Sequence, residues 1–303
     1  MDLYNIKSGN KLESVETDSF RLEKDIQSLV ENNLNTLFGL EFVRSEFSIK
    51  NFRIDTLTFD QSNNSFVIIE YKKGKSYSVI DQGYSYLGLM LDNKSEFILE
   101  YNESNNKNLK RGDVDWTQSK VIFVSPNFST FQRQSVNFQG LPIELFEIKK
   151  YSNRSIILQQ LVGESDENIS TISKGDILKE KVNRIVKVYS EDDIVLFGEK
   201  EIQNLYHELR SSIMDWGDVS ITPTKKYIGF LRSRNICSMF VQKKKIKLWV
   251  NLKKGELKDN LGITRDVSHV GHHGIGDYQI HFDNSYDIDY ILSLIKQSYN
   301  KQN

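Results

Sequence analysis

Two apolar runs, Arg53-Ile54-Asp55-Thr56-Leu57-Thr58-Phe59 and Phe66-Val67-Ile68-Ile69-Glu70-Tyr71-Lys72, flank the polar tetrapeptide Gln61-Ser62-Asn63-Asn64. Short runs rich in β-branched and aromatic residues, joined by four polar ones, predict a hairpin. A symmetric loop pairs Asp60 with Ser65 and, counting back, sets Asp55 opposite Glu70. Side chains alternate along a strand, so Ile68, Glu70 and Lys72 share a face with Arg53, Asp55 and Leu57 across from them. Directly opposed Cβ atoms lie about 5 Å apart, where like charges repel. Something positive is therefore expected beside the two acids: a divalent cation, Lys72 or Arg53. Hard cations such as Mg²⁺ bind through a few carboxylates together with substrate phosphate oxygens. A lysine about 7 Å along the same strand can orient an attacking water and stabilise phosphoryl charge. The plainer alternative is a solvated ion-pair patch, since Glu-x-Lys recurs by chance in a chain with 27% charged residues.

The flanking sequence sets this hairpin among helices. Leu22, Ile26, Leu29, Val30, Leu34 and Leu37 recur at helical spacing, with Asp18 or Ser19 as N-cap. Glu23 borders that stripe, and an acid partly buried there needs a partner. A strand is expected at 46–49, a helix over 79–91, and further strands at 97–100, 121–125 and 143–149. On the 79–91 helix Gln82 and Tyr86 stand one turn apart and project together. The plain reading makes Tyr86 core and Gln82 surface. The order predicts a mixed sheet with helices on its faces. After a polar, acidic stretch near 162–171, a second, α+β unit is expected, with helices over 199–214 and 288–299 and strands at 227–231, 237–242, 246–252 and 278–282. The domain reading is 1–162, a connecting segment over 163–198, and 199–303.

A chain of 303 residues with 38% hydrophobic content has the length and core for two domains. Its single cysteine, Cys237, excludes an internal disulfide framework and a four-thiolate zinc site, and a strand location makes it core packing. No apolar run approaches the roughly 20 residues of a membrane helix, and the first residues are polar, so a soluble cytoplasmic protein is expected.

Asp55, Glu70-Tyr71-Lys72 at the end of an apolar strand, and Gln82-x-x-x-Tyr86 on the next helix together resemble the PD-(D/E)XK nuclease superfamily. The Gln-x-x-x-Tyr element is similar to its RecB-type branch. The fuller strings Arg53-Ile54-Asp55-Thr56-Leu57, Ile69-Glu70-Tyr71-Lys72-Lys73 and Asp81-Gln82-Gly83-Tyr84-Ser85-Tyr86-Leu87 look like a group of bacterial proteins that pair such a domain with a C-terminal domain of unknown function. These are sometimes labelled predicted transport proteins, a role for which the chain offers no membrane segment. Ile54 stands where the superfamily's name has proline, a common departure.

The resemblance implies a restriction-endonuclease-like fold and metal-dependent phosphodiester hydrolysis, with DNA as the expected substrate and restriction, repair or phage defence as settings. Asp55, Glu70 and the Tyr71 carbonyl would hold Mg²⁺ or Mn²⁺. Lys72 would position the water, and Glu23 would hold a second ion or tune the first. Gln82 and Tyr86 would steady the site or touch the nucleic-acid backbone, and Lys73 and Lys75 would contact phosphates. A non-catalytic nucleic-acid-binding or regulatory protein on the same scaffold is the alternative. Homodimerisation is left open, and no membrane partner is expected.

The chain's net charge of −1 hides a local bias. Between Thr222 and Lys258, eleven basic residues face one acid, Glu256. Such a block suggests a surface for a polyanion. Read as a strand, 243–250 puts Lys243, Lys245, Lys247 and Trp249 on one face, lysines for phosphates beside a tryptophan for stacking. A solvated lysine face is the alternative. His269, His272 and His273 lie in a glycine-rich stretch whose spacing matches no familiar metal site, and the glycines suggest a tight loop between strands.

Overall fold

The computed structural model describes residues 2–74, 78–135, 140–161, 174–232, 234–271 and 274–302. The chain divides into two compact units, Met1–Lys187 and Val188–Asn303. No helix among the described residues is long and apolar enough to cross a membrane.

The first unit opens with a hairpin, β1 (Leu3–Lys7) and β2 (Lys11–Val15), and a short β3 (Thr17–Asp18). The helical stripe then forms two helices, α1 (Glu23–Glu31) and α2 (Leu34–Phe38), because Asn32 and Asn33 interrupt it. Leu22, expected in the stripe, is 62% exposed. The expected caps at Asp18 and Ser19 are not used; Asp25 reaches back to the Leu22 and Arg21 N–H groups at 2.8 and 3.1 Å. The hairpin at the centre of the argument is β5 (Phe52–Asp60) and β6 (Ser65–Tyr71), preceded by β4 (Glu41–Ile49). Next come α3 (Val79–Asp92) and α4 (Lys94–Asn105). The strand expected at 97–100 is thus helical: Phe97 and Tyr101, four residues apart, are both buried on one side of α4.

After β7 (Lys120–Ser125), α5 (Thr130–Ser135), β8 (Ile143–Tyr151) and β9 (Ile156–Leu161), the sheet order is β3-β8-β7-β6-β5-β4, with β9 on β8. The pairs β6–β7 and β7–β8 are parallel and the others antiparallel, so the sheet is mixed, with helices on both faces. Alternation along β6 divides the core. Phe66 and Ile68 pack with α3 and α4, while Val67, Ile69 and Tyr71 pack with α1 and α2. All seven residues of β6 are buried, as a central strand covered on both faces requires.

Part of the expected connecting segment lies outside the described residues, and another part is a structural element. Residues Ile177–Ile185 form α6, capped by Asp176 at the Leu178 and Lys179 N–H groups. Its Val182 is fully buried, its Asn183 accepts a 2.9 Å bond from the Tyr84 hydroxyl, and its Leu178 lies against Gly88 of α3.

The second unit contains α7 (Asp192–Val195), α8 (Lys200–Met214) and α9 (Ile288–Asn300) with six strands: β10 (Ser220–Pro223), β11 (Ile228–Leu231), β12 (Asn235–Val241), β13 (Ile246–Val250), β14 (Arg265–Asp266) and β15 (Tyr278–Phe282). They form an antiparallel sheet in the order β10-β11-β12-β13-β15-β14. Phe230, Met239, Leu248 and Ile280 point to one face, where Leu205, Leu209, Ile291 and Leu294 of α8 and α9 cover them. Cys237 is buried in that core, and burial pushes its thiol far above the ordinary range, so it is inert packing.

Candidate active site

Asp60 shapes the link between β5 and β6, accepting from the Ser62 and Asn63 N–H groups at 2.8 and 3.2 Å. Pairing then runs from Asp60 opposite Ser65 to Thr56 opposite Ile69. The next position along this register is Asp55 with Glu70, and there the two strands part. The Asp55 N–H donates to Glu70 Oε1 at 3.2 Å, and the Tyr71 N–H donates to Asp55 Oδ2 at 3.0 Å. Side-chain carboxylates thus take the place of ladder carbonyls. Meanwhile β6 stays with β7, Tyr71 beside Val124, and the Lys72 N–H bonds the Val124 carbonyl at 3.0 Å. A notch opens between β5 and the end of β6, with two carboxylates in its walls.

Glu70 is 2% exposed and would be costly as a bare anion. Its Oε2 receives the Lys72 ammonium at 3.1 Å and Gln82 Nε2 at 2.9 Å. Gln82 also reaches the Tyr86 hydroxyl at 3.2 Å, and that hydroxyl donates to the Arg53 carbonyl at 3.3 Å. The one-turn pair on α3 therefore ties Glu70 to the backbone of β5. Tyr86 is buried, as the plain reading had it, yet its hydroxyl is part of this chain of bonds. Burial and then the Glu70 charge push that hydroxyl well above its ordinary range, so it remains a neutral donor.

Burial, then the nearby Glu70 charge, raises Asp55 to about 6, with the Tyr71 N–H and Lys72 opposing. Of the positive partners considered for the acid pair, Lys72 is in place. Arg53 is turned away to Glu46. Two hard-oxygen carboxylates in one notch, one of them raised by the charge of the other, suit an oxygen-seeking divalent cation, with the Tyr71 carbonyl adjoining them in the chain. The Tyr71 side chain lies on the opposite face, where its hydroxyl meets Thr56 at 3.1 Å.

Glu23 sits differently from the expectation. It is exposed at the first position of α1, and its Oε1 accepts the Lys73 N–H at 2.8 Å. Among the described residues no three His, Cys, Asp or Glu side chains gather closely enough to hold a metal ion, so Glu23 adds no third carboxylate to the pair. The residue of α1 that does reach Asp55 is Gln27. It is 4% exposed and donates to the Asp55 carbonyl at 2.9 Å, to Glu31 at 2.9 Å and to Ser45 at 3.1 Å. Its signal was the polar row Glu23, Gln27, Glu31 at four-residue spacing beside an apolar stripe. The Lys73 ammonium bonds the Arg21 carbonyl. Lys75 lies outside the described residues.

The basic segment of the second unit folds otherwise than as one long strand. Lys243, Lys244 and Lys245 form an exposed turn closed by the Gln242 N–H on the Lys245 carbonyl at 2.9 Å, and β13 begins only at Ile246. Trp249, expected as an exposed stacking platform, is 1% exposed and packs with Tyr227 and Val267. The glycine-rich stretch covers it: a Cβ on Gly274 would stand 2.2 Å from the Trp249 ring. Gly276, at φ +103°, lays backbone against the Val250 carbonyl, where a side chain would collide at 2.0 Å. His269 is exposed; His272 and His273 lie outside the described residues.

Residues 179–302 match the family model described as a domain of unknown function (DUF5655). Over 98% of its length the chain is 46% identical to an uncharacterised protein of Haemophilus influenzae, of which 99% is covered. Among solved structures it shows a distant likeness to a repair endonuclease from Pyrococcus abyssi, at 18% identity and a TM-score of 0.25, over 43% of this chain and 49% of that one. A second likeness, at 14% identity and a TM-score of 0.28, is to EndoMS in complex with double-stranded DNA, over 48% of this chain and 60% of that one.

Proposed function

The chain belongs to the family of that Haemophilus influenzae protein, and we propose that its first unit is a divalent-metal-dependent nuclease of the PD-(D/E)XK type, with DNA as the expected substrate. One observation carries this reading: Asp55 and Glu70 converge where β5 and β6 part, with the Lys72 ammonium 3.1 Å from Glu70. A like-charged pair, Glu70 buried and Asp55 partly so, beside a lysine is unfavourable for a fold alone, and it has the donor types that phosphodiester hydrolysis uses.

In this reading Asp55, Glu70 and the Tyr71 carbonyl would hold Mg²⁺ or Mn²⁺. When bound, the cation lowers the pKa of water and offsets charge on the phosphoryl group. Lys72 orients the water and faces the developing negative charge. Gln82 fixes the Glu70 carboxylate, Tyr86 fixes Gln82 against β5, and Gln27 fixes the Asp55 backbone from the other face. Glu23 holds the Lys73 N–H and so steadies the chain leaving β6, where Lys73 and Lys75 would meet phosphates.

A second reading has its own observation. Lys72 and Gln82 already satisfy Glu70, as they would on a scaffold that binds nucleic acid without cutting it. The two separate on incubating the purified protein with plasmid, linear and single-stranded DNA and with RNA, in Mg²⁺, Mn²⁺ or EDTA. Metal-dependent cleavage lost by at least a hundredfold in Lys72→Ala is the expected result. Equal behaviour of wild type and Lys72→Ala excludes hydrolysis by this site, and binding without cleavage favours the second reading.

A further inference from the structure

The sheet of the second unit buries one face beneath α8 and α9 and carries basic side chains on the other. Register pairs Lys247 with Phe240 on one side and His281 on the other, and it pairs Gln279 with both Trp249 and Arg265. Directly paired residues project to the same face with Cβ atoms about 5 Å apart. Lys247 and His281 therefore form one row, and Trp249, Gln279 and Arg265 the next. Lys245, at the turn into β13, lies near enough to act electrostatically on both Lys247 and His281. The Lys247 ammonium lies 4.8 Å from the centre of the buried Trp249 ring, which forms part of the floor.

Every paired position on this face across β12, β13, β15 and β14 is basic or uncharged. Asp266 points to the other side and pairs with Lys254 at 2.6 Å. Asp283, two residues past His281, accepts from Ser285 N–H and Oγ at 3.0 and 2.6 Å. Among the described residues, none of Lys245, Lys247, Arg265 and His281 has a carboxylate partner within ion-pair distance. Burial and the neighbouring cations push both Lys247 and His281 below their ordinary values, Arg265 and Lys245 acting on each, and Lys247 also on His281. An anion from outside the chain would relieve this mutual repulsion.

We propose that Lys245, Lys247, Arg265 and His281 form a binding face for the phosphodiester backbone of nucleic acid. The choice of nucleic acid rests on the nuclease reading of the first unit. The groups lie on three adjacent strands about 4.8 Å apart and at the turn beside them, a spread that offers an extended polyanion more contacts than one phosphate can make. With Trp249 sealed beneath the Gly274 loop, this face offers phosphate contacts without base stacking, so binding is indifferent to sequence and steeply dependent on salt. The second unit as a whole is nearly balanced, sixteen Lys and Arg against fifteen Asp and Glu over 188–303, so the attraction is confined to this patch.

His281 adds a pH dependence. The groups around it are Lys245 and Lys247 from the β13 side, Arg265 from β14, and Asp283 just past the end of its own strand. A bound phosphate favours the imidazolium, so affinity rises as pH falls through the bound-state pKa and levels off below that of the free protein.

The test is fluorescence anisotropy of the full chain with a labelled duplex in EDTA, which separates binding from hydrolysis. The expected outcome for Lys247→Gln/Arg265→Gln is a loss of about 2 from the slope of log affinity against log salt, with weakening of tenfold or more at low salt. Lys247→Arg/Arg265→Lys, which keeps both charges, restores the slope and controls for misfolding. His281→Gln abolishes the tightening between pH 8 and 5.5. An unchanged slope in the double Gln variant overturns the proposal. So does full occupancy of the face by millimolar inorganic phosphate alone, which would identify a single-phosphate ligand. The two readings fail separately: Lys72-dependent cleavage with an unchanged slope sinks this face, whereas a lost slope without any cleavage sinks the nuclease.

Discussion

Asp55 carries the clearest electrostatic consequence at the scale of single residues. Its pKa of about 6 in the folded chain lies above the ordinary 3.8, so the folded state retains a proton that the unfolded state gives up. The contribution of the protonated acid is full below about pH 4 and is lost as pH rises through about 6. Above that, ionised Asp55 beside Glu70 costs stability, about 3 kcal/mol at most at 1.36 kcal/mol per pKa unit. Asn keeps a carbonyl oxygen for the Tyr71 N–H and removes the charge. Asp55→Asn is therefore expected to stabilise the metal-free protein by about 1–3 kcal/mol at pH 8 and to leave it unchanged near pH 4. Urea unfolding at the two pH values measures this, and an equal effect at both contradicts it. The facing of Asp55 and Glu70 was legible because loop length and alternation are local quantities. The engagement of Gln27 was not, since its burial depends on a strand that packs over it from elsewhere in the chain. Trp249 was misplaced for the same reason: a loop far along the chain covers it.

Among the elements, α3 holds the site together and approaches the sheet unusually closely. Gly83 allows this, because a Cβ there would meet Ile143 Cδ1 at 2.4 Å and Cγ1 at 2.8 Å. Alanine has the higher helix propensity by about 1 kcal/mol, yet overpacking costs about 1–3 kcal/mol, and the Ile143 side chain, 4% exposed, has little room to turn away. Gly83→Ala is expected to lower the denaturation midpoint, and to reduce cleavage further by moving the adjacent Gln82 from Glu70. A midpoint at or above wild type would show that Ile143 yields freely. The 79–91 helix and the strands around 53–59 and 66–72 were readable from periodicity alone. Residues 97–100 were misread as a strand because four residues show too little of a 3.6-residue period; only Phe97 with Tyr101 reveals it. The hairpin at 3–15 escaped notice because it carries no strong apolar pattern; helix α6 has Leu178, Val182 and Ile185 at helical spacing but follows a polar stretch that reads as a connector.

For the whole molecule, the division into two units has a thermodynamic signature. Their apolar side chains fall into clusters that lie within one unit or the other. Leu294 on α9 is fully buried in the second, and truncating such a leucine costs about 2–5 kcal/mol. Leu294→Ala is expected to lower one calorimetric transition and leave the first unit's transition, and its Mg²⁺ response, in place. A single transition that shifts as a whole would instead show one cooperative block. The two-part organisation and mixed sheet were legible from the order of runs and turns, whereas the boundary was not, because α6 follows a polar stretch and yet packs on α3. The parallel seam between β6 and β7 carries a final consequence. It joins Tyr71 to Val124, partners far apart in the chain, and such pairing comes slowly in folding. Lys72, held by its own N–H to Val124, takes its station only when that seam closes. On the proposed reading, a first unit in which β7 has not yet docked beside β6 cannot cut, however completely its hairpin has formed.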